Sequence, residues 1–204
     1  MQSIDIPGPV GNLEALIDLP EDPPSAIAVI CHPHPLQQGT MHNKVVSTLA
    51  RTFCHLGAVS VRFNFRGVGR SAGGYGDGVG ERDDALAAVK WSREQYRSLR
   101  LYLGGFSFGA MVALTAAASA APTGLVTVAP PVERLPRDFS PPACRWLLVQ
   151  GDRDDVVSAD AVVDWASSLK SPPKVAVLSG AGHFFHGQLG ALTESVTEFF
   201  GPDF

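Results

Sequence analysis

The sequence lacks several features that would point to particular classes of protein. It has only three cysteines, Cys31, Cys54 and Cys144, an odd number that suggests no disulfide framework and predicts reduced, buried side chains. No apolar run approaches the roughly 20 residues that a membrane-spanning helix needs. The first residues show no basic segment followed by an apolar one, as a secretory signal would. We therefore expect a cytoplasmic protein with no membrane partner.

Charge is also sparse. Charged residues make up 18% of the 204 residues, the formal net charge is -4, and no cluster of Lys and Arg occurs. Nucleic-acid-binding proteins need a basic face, so we expect no nucleic-acid partner. The hydrophobic content of 45% is enough for one substantial core, which predicts a single domain over residues 1–204. The sequence gives no indication of the oligomeric state.

Short apolar runs alternate with segments of helical period. The runs are typical of strands covered on both faces, and they predict strands at 26–31, 59–64, 101–104, 124–129, 145–150 and 174–178. Ahead of them, Pro-Gly-Pro and Gly-Asn indicate an antiparallel hairpin. Helices are predicted after Asn43, from Asp83 and Asp84, from Ser158, and around Leu189. This alternation predicts an α/β fold, with a mostly parallel sheet and helices on both faces.

The motif GFSFG at residues 105–109 places Ser107 between a predicted strand and an alanine-rich predicted helix. A G-x-S-x-G motif in that context forms a sharp turn, the nucleophile elbow, which exposes the serine hydroxyl. Glycine is needed on both sides because the backbone is crowded there. The structural alternative is a serine that merely caps the helix. The sequence also contains a second match, GRSAG around Ser71, which neither follows a strand directly nor leads into a helix.

A serine hydroxyl is a weak nucleophile unless a histidine accepts its proton and a carboxylate orients that histidine. The segment GDRDDVVS after the strand at 145–150 offers Asp152, Asp154 and Asp155 as the acid. The segment SGAGHFFHG after the last strand offers His183 and His186 as the base. The order serine, acid, histidine is the one that accompanies this turn.

Together, the blocks CHPHPLQQGTMHNK, RFNFRGVGRS, GGFSFGA, GDRDDVV and GAGHFFHG resemble the α/β-hydrolase family over nearly the full length of the chain. The resemblance implies a Ser-His-Asp triad of Ser107, His183 and Asp154, with no cofactor. It also implies a site without a lid domain, since only residues 129–142 stand where lipase-like relatives carry a long insertion. Small relatives include dienelactone-hydrolase-like and X-Pro dipeptidyl-peptidase-like enzymes.

The oxyanion hole should combine two backbone N–H groups. The Phe108 N–H follows the serine at the start of a helix, where negative charge is favoured. Members of the family usually supply the second N–H after a His-Gly pair, whereas this chain reads His-Pro-His-Pro at residues 32–35. Proline has no N–H to donate. We therefore expect His34 to supply the second N–H, with Leu36 as the alternative.

Three other features of the sequence resemble functional sites but do not predict them. His32 and His34 form an H-x-H pair without the further ligands of a metal site, so we expect no metal. We expect both histidines instead to hold the loop that carries the second N–H donor, residues 32–36, which we call the oxyanion loop. Residues 67–72 approximate the dinucleotide motif G-x-G-x-x-A, but the following glycines prevent a helix from opening at once. Cys31 ends an apolar strand, as inert core cysteines do.

The expected substrate is a small or soluble ester, and the expected activity is that of a carboxylesterase. Phe106, Met111 and Phe184 are the candidates for an apolar acyl pocket. A thioesterase or peptidase with the same triad is the nearest alternative. The other alternative is a protein of this fold that only binds a ligand, because fold does not determine function.

Overall fold

The computed structural model describes residues 1–204 and contains one eight-stranded sheet. Its strands are β1 (Gln2–Gly8), β2 (Gly11–Asp18), β3 (Ala26–Cys31), β4 (Ala58–Phe63), β5 (Arg100–Phe106), β6 (Gly124–Val128), β7 (Arg145–Gly151) and β8 (Lys174–Leu178). They lie in the order β1-β2-β4-β3-β5-β6-β7-β8. β1 and β2 form an antiparallel hairpin, β2 pairs antiparallel with β4, and all other pairs are parallel. The predicted fold is confirmed.

Helices cover both faces of this sheet. They are α1 (Lys44–His55), α2 (Val79–Gln95), α3 (Phe108–Ala120), α4 (Ala159–Ser168) and α5 (Leu189–Phe200). One core cluster contains buried residues of α1 and α5, and a second contains residues of α2, α3 and α4. Within β3, Ala28 and Ile30 belong to the first cluster, while Val29 and Cys31 belong to the second. Successive side chains of a strand point to opposite faces, so every residue of β3 is buried.

Two predicted helix caps are present. The Asn43 side chain accepts a hydrogen bond from the Val45 N–H at 2.9 Å, directly before α1. The Ser158 hydroxyl accepts one from the Ala161 N–H at 3.3 Å, at the start of α4. Such bonds satisfy N–H groups that have no partner within the first turn of a helix.

The predicted start of α2 was wrong. The helix begins at Val79, one turn before Asp83 and Asp84, after Gly78 in the left-handed region at φ 86°. Asp84 is fully buried rather than placed at the helix start. Its carboxylate accepts hydrogen bonds from the Arg66 backbone N–H at 2.9 Å and from the Arg66 guanidinium at 2.7 Å. A glycine-rich loop therefore ends in this helix, and an ion pair to the helix holds that loop in place.

The connection between β6 and β7 is short, as predicted for a chain without a lid domain. Val132, Leu135 and Phe139 of this segment pack against the core. No helix is both long and apolar enough to span a bilayer. Of the three cysteines, only Cys31 is fully buried, and Cys54 and Cys144 are half-buried. The expectation of three buried thiols was therefore correct only for Cys31.

Candidate active site

Ser107 lies in the turn between β5 and α3, with φ 54° and ψ -122°. L-residues rarely adopt positive φ, and such strain persists only where the surrounding structure imposes it. Here the Ser107 N–H donates to the Val128 carbonyl at 2.8 Å, which ties the turn to β6. The Ser107 carbonyl accepts from the Ala110 N–H at 2.8 Å, at the start of α3. The sheet and the helix together hold the serine in this conformation.

The two glycines of the motif are required by close backbone contacts. A Cβ at Gly105 would overlap the Gly109 carbonyl. A Cβ at Gly109 would overlap the carbonyl oxygens of Cys31 and His32, where β3 ends. Glycine permits these approaches because it has no side chain. The turn is therefore packed directly against the end of β3.

Ser107, His183 and Asp154 form a chain of hydrogen bonds at the carboxyl edge of the sheet. The distance from His183 Nε2 to Ser107 Oγ is 3.0 Å, and from His183 Nδ1 to Asp154 Oδ2 it is 2.8 Å. An ionised carboxylate can only accept hydrogen bonds, so Nδ1 carries the proton and Nε2 is left to accept from the serine. His183 is 4% exposed and lies above the fully buried Phe106, with 5.1 Å between the ring centroids.

Four hydrogen bonds hold the Asp154 carboxylate. The N–H groups of Val156 and Val157 donate to its Oδ1 at 2.9 and 2.8 Å, and Gln150 Nε2 donates to its Oδ2 at 3.1 Å, beside the bond from His183. Burial alone would raise the pKa of Asp154, but the bonds from His183 and the two backbone N–H groups outweigh it and lower the pKa. The carboxylate therefore stays ionised beside the imidazole.

The alternative acids and base lie elsewhere. Asp152 accepts a hydrogen bond from the Gly180 N–H at 2.7 Å, which joins the loops after β7 and β8. Asp155 and His186 are exposed, and neither bonds to Ser107 or His183. His183 is thus the histidine that bonds to Ser107, and Asp154 is the carboxylate that bonds to His183.

Ser71, the serine of the second G-x-S-x-G match, is part of a buried polar bridge. Its Oγ donates to the Asn64 carbonyl at 2.7 Å and accepts from the Glu14 N–H at 2.9 Å. These bonds join β2 to the loop after β4. Ser71 therefore has a structural position, with its hydroxyl fully engaged by backbone groups.

The backbone N–H groups of Phe108 and His34 have no acceptor within the protein, whereas the Leu36 N–H donates to His34 Nδ1 at 3.2 Å. The His34 and Phe108 rings pack together, with 4.8 Å between their centroids. The ring contact places His34 next to Phe108, the residue after Ser107, and both N–H groups remain available as the donors that the sequence predicts for an oxyanion. Leu36, the alternative donor, is already engaged.

Both imidazoles of the H-x-H pair are bonded to protein groups. His32 Nδ1 donates to the Pro33 carbonyl at 2.6 Å, and its Nε2 accepts from the Phe65 N–H at 3.0 Å. Burial lowers the pKa of His32 to about 4, although the bond to Pro33 opposes the shift. The neutral ring of His32 therefore joins the oxyanion loop to the end of β4.

Three residues that support the site escaped the sequence prediction. Tyr75 bonds to His34 Nε2 at 3.2 Å, Gln150 bonds to Asp154, and Glu81 accepts the Gly76 N–H at 2.8 Å in the loop that carries Tyr75. The only signal for Tyr75 is its position as the single aromatic residue within the glycine-rich segment 73–80.

The three predicted pocket residues differ in exposure. Phe106 is fully buried beneath His183, so it supports the imidazole and cannot line an open pocket. Met111, a residue of α3, is 8% exposed and belongs to the core cluster that also contains residues of α2. Phe184 is 49% exposed, and its ring lies 5.2 Å from that of His183. Only Phe184 offers substantial surface to a substrate, so Phe106 and Met111 do not line the predicted apolar acyl pocket.

The family described as serine aminopeptidase, S33, matches residues 22–148, which include Ser107 and end before Asp154. The chain belongs to this family of α/β-hydrolases. It is also 33% identical to a protein of Rickettsia prowazekii (strain Madrid E), over 98% of this chain and 88% of that protein.

Solved structures agree with this family assignment. A lidless α/β serine hydrolase of Xanthomonas campestris is 42% identical, with a TM-score of 0.93, over 98% of this chain and 93% of that one. An α/β serine hydrolase homologue of Coxiella burnetii is 44% identical, also with a TM-score of 0.93, over 97% of this chain and 96% of that one. This α/β-hydrolase is therefore a serine hydrolase, and the predicted family is confirmed.

Proposed function

We propose that this serine hydrolase cleaves carboxylic esters of small or soluble molecules through an acyl-enzyme on Ser107. The observation that carries the proposal is the chain of hydrogen bonds from Ser107 through His183 to Asp154, on a strained turn between β5 and α3. A serine alone would be unreactive, and the two partners supply the base and its orientation.

In the first step, Ser107 Oγ attacks the carbonyl carbon while His183 Nε2 takes the hydroxyl proton. Asp154 accepts the Nδ1 proton in a hydrogen bond and stabilises the imidazolium. The carbonyl oxygen becomes an oxyanion and accepts from the Phe108 and His34 N–H groups, each worth about 2.7–4 kcal/mol. The carbonyl re-forms as the bond to the leaving oxygen breaks, and His183 gives its proton to that oxygen. An alcohol leaves.

In the second step, water replaces the serine hydroxyl as the nucleophile and hydrolyses the acyl-enzyme. His183 takes a proton from a water molecule, whose oxygen attacks the acyl carbon, and the same two N–H groups stabilise the oxyanion. The bond to Ser107 Oγ breaks, and His183 returns the proton to the serine. A carboxylic acid leaves, and the enzyme is regenerated without a cofactor.

Peptide hydrolysis is the second candidate, because the matching family is described as serine aminopeptidase. The ester is preferred on chemical grounds. An alkoxide leaves a tetrahedral intermediate more readily than an amide nitrogen, which must be protonated first. Ester cleavage therefore makes the smaller demand on the catalytic groups.

The test is the intact mass of the protein after exposure to a fluorophosphonate probe, in wild type, Ser107→Ala and Ser71→Ala. We expect a single adduct in wild type and Ser71→Ala, and none in Ser107→Ala. A panel of acyl esters, thioesters and aminoacyl amides then identifies the bond. An unlabelled but folded wild type would contradict an activated serine, and amides turning over faster than esters would favour the peptidase.

A further inference from the structure

Four of the large apolar residues on the surface surround the candidate active site. Leu36, Val79, Val156 and Phe184 are 65%, 63%, 63% and 49% exposed. They follow β3, β4, β7 and β8 respectively, and all four strands run parallel. The carboxyl ends of parallel strands meet at one edge of the sheet, the edge that also carries Ser107. We call these four residues the apolar rim.

Three residues of the rim are joined to the proposed catalytic groups. The Leu36 N–H donates to the ring of His34 at 3.2 Å, and the Val156 N–H donates to the Asp154 carboxylate at 2.9 Å. The Phe184 ring lies 5.2 Å from that of His183. Each of these three exposed residues therefore lies within two positions of a residue that would act on the substrate.

The fourth residue of the rim, Val79, lies at the start of a helix. It is the first residue of α2 and follows Gly78. A Cβ at Gly78 would lie 3.1 Å from the end of the Met111 side chain and 3.8 Å from the Phe108 ring. The start of α2 is thus packed beside Phe108, whose N–H is the proposed oxyanion donor.

Exposed apolar side chains that are scattered singly need no explanation. The other four large ones fit that description: Met1, Val10, Leu19 and Val177 lie at the first residue, in the first hairpin, after β2 and within the edge strand β8. The apolar rim differs because three loops and the start of α2 bring these residues to the surroundings of one serine.

We infer that the apolar rim binds an extended, uncharged apolar group of the substrate, such as an alkyl acyl chain, across the open surface beside Ser107. Phe106 and Met111 are buried and offer little surface to such a group. The inference rests on the proposed ester hydrolysis and names its substrate class, namely esters with an apolar chain of several carbons.

The experiment compares kcat/KM for p-nitrophenyl acetate, butyrate, hexanoate and octanoate, below their solubility limits. A fully buried methylene would raise kcat/KM about fourfold, and one that contacts the protein on one side only about twofold. In wild type we therefore expect octanoate to exceed acetate by more than tenfold. The double variant Leu36→Ser, Val79→Thr should lower that ratio about tenfold.

The matched control is Leu19→Ser. Leu19 is 56% exposed and lies after β2, at the opposite edge of the sheet. Its replacement removes a similar exposed side chain and should leave the octanoate-to-acetate ratio unchanged. A fall in the ratio in Leu19→Ser as well would show a general effect of surface polarity and overturn the inference.

A second measurement does not depend on turnover. In Ser107→Ala, calorimetry should show tighter binding of the octanoate ester than of the butyrate ester, and the double variant should remove the difference. A ratio or affinity independent of chain length, with Ser107 still labelled by the fluorophosphonate, overturns the rim inference and leaves the proposed function standing. If wild type is not labelled but binding to Ser107→Ala still depends on chain length, the proposed function is overturned and the rim inference stands.

Sedimentation velocity tests whether a second copy of the chain, and not the substrate, covers the apolar rim. A wild-type dimer that becomes a monomer in the double variant, with an unchanged chain-length ratio, would make the apolar rim a contact between two copies of the chain. That result would also overturn the inference.

Discussion

The Tyr75 hydroxyl lies 3.2 Å from Nε2 of His34 and joins the glycine-rich loop before α2 to the loop after β3. The Leu36 N–H occupies His34 Nδ1, so Nδ1 carries no proton and Nε2 donates to the tyrosine oxygen. Glu81 accepts the N–H groups of Gly76 and Gly78 at 2.8 Å each and fixes the loop that carries Tyr75. The tyrosine thus holds the ring of the residue whose N–H is proposed to bind the oxyanion.

Tyr75→Phe tests this positioning role. The variant loses one hydrogen bond and keeps the ring that packs against His34 and Phe108. A bond worth about 1 kcal/mol that is needed chiefly in the transition state should lower kcat about fivefold and leave KM nearly unchanged. Steady-state kinetics on one ester separates the two constants. A raised KM with unchanged kcat would instead mean that Tyr75 contacts the substrate.

The positive φ of Ser107 predicts a conflict between stability and activity. Ser107→Ala and Ser107→Gly both remove the nucleophile, but only glycine adopts this backbone conformation without strain. We expect Ser107→Gly to be more stable than Ser107→Ala by about 1 kcal/mol, with both inactive. Urea unfolding of the two variants measures the difference. Equal stabilities would mean that any strain in the turn does not exceed the unfolded-state entropy that glycine adds.

Asp154→Asn should leave the fold intact and lower kcat by about 10⁴-fold, because an amide NH₂ facing His183 Nδ1 favours the wrong tautomer. Asp152→Asn is the matched control. Its side-chain oxygen still accepts from the Gly180 N–H, so kcat should stay near that of wild type. A larger loss in Asp152→Asn would move the acid to that residue.

His32 predicts the pH dependence of stability. Burial lowers its pKa from 6.5 to about 4, so the unfolded chain takes up the proton first as pH falls. The contribution of the neutral ring is complete above pH 6.5 and is lost as pH falls toward 4, by about 2–3 kcal/mol between pH 7 and 4.5. Urea unfolding at both pH values checks this.

His32→Gln provides the comparison for that measurement. Glutamine does not titrate, so the variant should be less stable at pH 7 and lose less stability between pH 7 and 4.5. The difference between the two slopes belongs to His32, since the other histidines are common to both proteins. Parallel slopes would assign the acid sensitivity to other groups.

The six parallel strands β3 to β8 were predictable because each corresponds to a local apolar run. The predicted boundaries differ from the observed ones by a residue or two, as with 101–104 against Arg100–Phe106 for β5. Asn43 and Ser158 were also readable, since a cap acts on residues two or three positions away. Features of this kind depend only on neighbours in sequence.

The start of α2 was not predictable in the same way. Asp83 and Asp84 favour a helix start locally, but Asp84 forms a buried ion pair with Arg66 across a glycine-rich loop. Such a pair depends on tertiary structure, which overrides the local preference. Phe106 was misassigned for a similar reason, because it is buried beneath His183, a contact that also depends on tertiary structure.

The segment between β6 and β7 has a consequence for the fate of an acylated serine. Val132, Leu135 and Phe139 hold this segment down on the core, and Ser107 remains half-exposed. Bulk water thus has direct access to an acyl group on Ser107 and outcompetes scarcer alcohols in the second step. On the proposed mechanism, each cycle ends in a free acid, and transesterification is a minor reaction.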